Sequence, residues 1–64
     1  MTVSLTEQIQ ELQRELRMRD RVYPRWIASG KLTDADAGRQ LARLRAAIST
    51  LVQLQAEREP GLAL

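Results

Sequence analysis

Apolar residues in the first half of the chain recur on a helical period. Leu5, Ile9, Leu12, Leu16, Tyr23 and Trp26 are separated by 4, 3, 4, 7 and 3 residues. That is a 3.5-residue repeat, with Arg19 standing where an apolar residue would complete it. The spacing predicts a helix over about 4–28. Leu41, Leu44, Ile48, Leu51 and Leu54 or Gln55 mark a second stripe and predict a helix over about 34–58. Gly38, Ala42 and Ala46, four apart, form a line of small residues beside that stripe.

The ends of these segments carry their own signals. Ser4 with Glu7 three residues later reads as a capping box. Gly30 suits a left-handed helix stop, and residues 29–33 form the turn. Thr33 reads as the next N-cap, with Asp34 and Asp36 in the following first turn. Thr33 and Asp36 also have capping-box spacing, with Asp in place of the usual Glu. Pro60-Gly61 is the expected stop, leaving 59–64 as a frayed tail. Pro24 either kinks the first helix or ends it near Val22 with a restart. The continuing seam at Tyr23 and Trp26 favours the kink.

Two helices of about 36 Å joined by a short turn make an antiparallel hairpin. The predicted fold class is all-α, with one domain spanning 1–64. Size then adds a constraint. A chain of 64 residues folds to roughly 4,200 Å² of surface, against roughly 10,600 Å² unfolded. If about 4,000 Å² of the difference is apolar, burial contributes about 100 kcal/mol. Ordering the chain costs nearly the same, at about 1.5 kcal/mol per residue. The chain has no cysteine to add a disulfide. A homodimer closing into a four-helix bundle is therefore expected. Its seam would use Leu5, Ile9, Leu12, Leu16, Leu41, Leu44, Ile48 and Leu51.

Composition narrows the chemistry. Without histidine or cysteine, imidazole and thiolate metal sites and Ser-His or Cys-His catalysis are excluded. Glu7, Glu11 and Glu15 share a helix face, but bundle metal sites need carboxylates from several helices and usually histidine. A solvated polar face is the better reading. No Gly-rich phosphate loop occurs. The expectation is a protein that is not an enzyme and uses no cofactor or metal. No basic-then-apolar leader and no long apolar run is visible, so a cytoplasmic protein without membrane contact is expected.

Net charge is +2, with nine Arg among ten basic residues. The local signs differ more. Residues 1–13 carry Glu7 and Glu11, whereas 14–31 hold six bases against Glu15 and Asp20. Arg14, Arg17, Arg21 and Arg25 form one stripe, and both aromatics lie in the same stretch. Three readings stand for this cluster. The Arg stems cover the core edge while Tyr23 and Trp26 plug the bundle end. Alternatively the cluster binds a protein, since Trp, Tyr and Arg are enriched at binding hot spots. The third reading is phosphate contact and base stacking, which the small net charge argues against. Candidate partner-binding residues are Arg17, Arg21, Tyr23, Arg25, Trp26, Asp34 and Asp36. Arg19 either pairs with a carboxylate, from Asp20 or a second chain, or lies solvated where the seam opens. Arg39 and Arg43 read as a solvated basic face.

Over Arg17–Thr33, RMRDRVYPRWIASGKLT, the chain resembles small proteins encoded by phages and prophages of proteobacteria. The shared features are an Arg-rich helix end, Val-Tyr-Pro-Arg with a following aromatic, and a Gly-Lys-Leu-Thr turn. Similarity continues over Asp36–Ile48 through Ala37, Leu41 and Ile48. Within that group the chain resembles the phage anti-activators of quorum sensing. The resemblance implies a dimeric two-helix inhibitor that binds the DNA-binding domain of a host LuxR-type activator and blocks DNA binding. It also implies a second host target, the type IV pilus assembly ATPase. A helix-turn-helix domain is basic where it meets DNA. A blocker of that surface is expected to offer acids such as Glu7, Glu11, Asp34, Asp36, Glu57 and Glu59. The Arg stripe suits an acidic or apolar target instead.

Overall fold

A computed structural model of the protein describes residues 2–58. It consists of two helices, α1 (Leu5–Ala28) and α2 (Asp34–Arg58), packed antiparallel. The expected stop at Pro60-Gly61 and the tail 59–64 lie outside the described residues.

Ser4 starts α1 as its sequence predicts. Its hydroxyl accepts the Glu7 N–H at 3.1 Å, and its own N–H donates to the Glu7 carboxylate at 3.2 Å. Both halves of the capping box are made, so two otherwise orphaned donors are satisfied. Thr33 starts α2 by only half of the same device. Its hydroxyl accepts the Asp36 N–H at 3.1 Å, but the Asp36 carboxylate pairs with Arg39 instead of returning to Thr33. Asp is one methylene shorter than Glu, and Arg39 sits one helical turn on.

α1 runs unbroken through Pro24. Proline has no N–H to give the Asp20 carbonyl. Both residues are exposed, so that carbonyl faces water rather than the core. The helix then ends in a Schellman motif. The Gly30 N–H donates to the Ile27 carbonyl at 3.1 Å, and the Lys31 N–H to the Trp26 carbonyl at 2.9 Å. Gly30 has φ +80°, the left-handed conformation in which a Cβ is strained. The Trp26 carbonyl also accepts from the Leu32 N–H and the Ser29 hydroxyl, both at 3.2 Å. The last turn of α1 is thus fixed by its own backbone.

The two helices meet along one seam. Ile9, Tyr23, Ala37 and Leu44 are buried, and no side chain among the described residues is fully enclosed. Leu5, Leu12, Leu16, Leu41, Ile48 and Leu51 are only half-buried. The register is set from one end to the other by polar pairs. Thr6 accepts from Gln55 at 2.6 Å, Asp20 pairs with Arg45 at 3.5 Å, and the Tyr23 hydroxyl donates to Gln40 at 2.8 Å. Trp26 does not continue the seam. It is 41% exposed, and Ile27 takes the inward position. Gly38, Ala42 and Ala46 all face solvent, so no helix approaches along their line.

The two glycines within the hairpin should respond oppositely to alanine. Nothing lies within 4 Å of a Cβ placed on Gly38, so Gly38→Ala should stabilise by about 0.5–1 kcal/mol. Gly30→Ala should destabilise by about 1–2 kcal/mol through left-handed strain. Thermal melts followed by circular dichroism test both signs.

Hydrogen bonds from Ser4, first its side chain and then its backbone N–H, hold the Glu7 carboxyl below its ordinary value. A carboxyl lowered in the folded state stabilises above its unfolded value and loses that contribution as pH falls through the folded one. Wild type should therefore be more stable than Glu7→Gln at neutral pH. Melts across the pH range should show the gap closing below about pH 4.

Candidate functional site

The richest polar cluster lies near the turn end of α1. Tyr23 is 6% exposed, and its hydroxyl reaches across to the Gln40 side chain. Arg19, within the first turn of the second half of α1, occupies the seam position where an apolar residue would complete the repeat. Its side chain is 26% exposed, and its Nε donates to Glu15 at 2.9 Å. The carboxylate that serves Arg19 is Glu15, on its own helix, and Asp20 turns instead to Arg45. The Arg19 guanidinium stands 6.0 Å from the centre of the Tyr23 ring, within cation–π range. The Tyr23 and Trp26 rings are 5.6 Å apart and tilted by 31°, an offset aromatic contact. Arg19, Tyr23 and Trp26 therefore form a run of contacting side chains leading from the seam to the surface.

Ion pairing divides the basic residues into two sets. Arg14 pairs with Glu11, which also strengthens Arg14's hold on its proton, through hydrogen bonding first and charge second. Arg19 takes Glu15, Arg45 takes Asp20 and Arg39 takes Asp36. Arg17, Arg21 and Arg25 are exposed and pair with no carboxylate among the described residues. These three follow each other at four-residue spacing on the outer side of α1. Between them and the seam runs a second row, Met18, Val22 and Trp26, at the same spacing. Met18 and Val22 are half-buried. Arg14, Glu15, Arg17, Met18 and Arg21 enclose an open groove of about 450 Å³.

Two further grooves lie between the helices. One, about 480 Å³, is lined by Val3, Glu7, Gln8, Glu11, Leu12 and Leu51 near the chain ends. The other, about 520 Å³, is lined by Arg19, Gln40, Arg43 and Leu44. Leu12 and Arg19 are seven residues apart, as are Leu44 and Leu51, so both grooves open on the same side.

The expected partner-binding residues thus separate. Arg17, Arg21, Arg25 and Trp26 share one accessible face. Tyr23 is taken up by the core and supports Trp26 from beneath. Asp34 is exposed and Asp36 is half-buried, both at the start of α2 beyond the turn. The apolar repeat does not mark Met18, Val22 or Ala37 as seam or partner-facing positions. Ala37 stands four before Leu41 and seven before Leu44, on the same heptad stripe, but its single methyl is a weak apolar signal. Among the described residues no three carboxylates gather as a metal site, and no helix is long and apolar enough to cross a membrane. Comparison with protein-family models, curated proteins and solved structures finds no match. Fold and site define a small helical hairpin with a half-covered apolar seam and a basic, aromatic outer face.

The Tyr23–Gln40 bond joins the two helices beneath this face. Tyr23→Phe should cost about 1 kcal/mol, read from urea unfolding with an unchanged slope.

Proposed function

We propose that the chain is a phage-encoded, non-enzymatic inhibitor that acts as a homodimer on a host regulatory protein. The observation that carries this reading is the half-covered seam. Six of the eight seam leucines and isoleucines remain partly exposed along both helices. A second copy on that side would bury them in a four-helix bundle.

The regulatory target rests on the resemblance over Arg17–Thr33. It proposes the DNA-binding domain of a LuxR-type activator in the host cytoplasm, with the type IV pilus assembly ATPase as a second target. Glu7 and Glu11 rim one end of the hairpin, and Asp34 and Asp36 lie at the other, offering acids to a basic DNA-reading surface.

Sedimentation at micromolar concentration should give twice the mass of one chain, and a stable monomer there overturns the dimer. Tagged protein should retain a DNA-binding regulator from bacterial lysate and abolish that regulator's DNA complex in a mobility-shift assay. Retention of nucleic acid alone, or of a particle protein alone, replaces the inhibitor with a nucleic-acid binder or a structural adaptor.

A further inference from the structure

The outer side of α1 carries two adjacent rows that the hairpin does not use. Arg17, Arg21 and Arg25 form the first, and Met18, Val22 and Trp26 the second. Rows of side chains at four-residue spacing are the ridges by which helices pack into one another's grooves. Each row spans eight residues, about 12 Å or two helical turns.

Electrostatics makes this face unusual in the molecule. The carboxylates nearest to it, Glu11, Glu15 and Asp20, each already hold another guanidinium, on Arg14, Arg19 and Arg45 respectively. The basic row is therefore left without a partner among the described residues. Beside it, Trp26 exposes 41% of its surface at a point where the backbone is tied by the Schellman motif and the ring is held against Tyr23. A large aromatic fixed in place loses little conformational entropy on binding, as hot-spot residues do.

We infer that this face docks an acidic amphipathic helix of a partner protein. The partner's apolar row would pack on Met18, Val22 and Trp26, while carboxylates one turn apart would meet Arg17, Arg21 and Arg25. Charge complementarity selects that occupant. A nucleic acid fits less well. The row of Met18, Val22 and Trp26 is an apolar ridge that offers a phosphate backbone nothing to bond, and one side of the Trp26 ring already lies against Tyr23, which leaves little of it for base stacking. The inference rests on reading the chain as an interaction protein and supplies the chemistry of its partner. On a DNA-binding regulator, an acidic helix lies away from the basic surface that meets DNA.

Trp26 is the only tryptophan, so its emission reports this face directly. The probe is a synthetic helical peptide with leucines at i, i+4 and i+7 flanked by glutamates, titrated into the full chain at low ionic strength. The expected result is a blue shift of Trp26 that weakens as salt is raised. Joint replacement by Arg17→Glu, Arg21→Glu and Arg25→Glu should weaken apparent affinity by roughly tenfold or more, with helicity unchanged because all three side chains are exposed. Should that variant lose helicity, Arg17→Gln, Arg21→Gln and Arg25→Gln replaces it. An equal response to the same peptide with lysines for glutamates overturns the inference. So does a response to duplex DNA but not to the acidic peptide, or an affinity untouched by charge reversal. A Trp26 shift that follows protein concentration without peptide also overturns it, since a second copy then covers the face. Sedimentation of the same samples separates outcomes, because a monomer that still answers the acidic peptide refutes the dimer and leaves this docking face standing.

Discussion

Two helices lying side by side can cover only one stripe of each other. Everything else in this protein follows from that geometric limit. A seam of heptad spacing supplies apolar side chains along most of the length of each helix, yet among the described residues only Ile9, Tyr23, Ala37 and Leu44 are buried. The flanking leucines stay partly in water because no third element lies over them among the described residues. Their hydrophobic stabilisation is collected only in part by one chain. The remaining apolar surface favours association, and it does so before any specific partner is considered.

Where burial is thin, local devices and polar pairs define the structure. The Ser4 capping box, the Thr33 cap and the Gly30 turn each terminate a helix by satisfying backbone groups that would otherwise be orphaned. Cross-helix pairs then hold the register. Thr6 with Gln55, Asp20 with Arg45 and Tyr23 with Gln40 are spread along the hairpin, so a slip by one turn would break all of them. Arg19 in the seam has the same character. Its charge is tolerated because Glu15 lies one turn back and the seam there is open to water, which keeps the desolvation cost low.

The same ion pairs shape the surface. Carboxylates that hold Arg14, Arg19 and Arg45 are thereby removed from Arg17, Arg21 and Arg25. A nearly balanced chain consequently presents a strongly basic strip on one helix face and acidic groups at its ends. Binding would be chosen by these local signs, since long-range fields from a net charge of +2 are weak and screened.

Much of this was legible in the residues. Helix positions, both caps, the turn at Gly30 and the apolar seam follow from periodicity and backbone chemistry, because each depends on residues three or four apart. Tertiary structure decided what depends on distant residues. The Thr33–Asp36 box closed only halfway because Arg39 competes for Asp36. Ile27 rather than Trp26 faces inward, since the hairpin's drift across the seam by the last turn favours the following residue. Tyr23's place in the seam follows from the repeat, but the partner of its hydroxyl, Gln40, lies seventeen positions away. Ala37 became core because a neighbouring helix lies over it, which a single methyl cannot announce. The pairing of Asp20 with Arg45, and with it the unpaired basic row, required two helices to be placed side by side. Short-range order comes from spacing along one helix, whereas charge partners and exposure come from what the second helix covers.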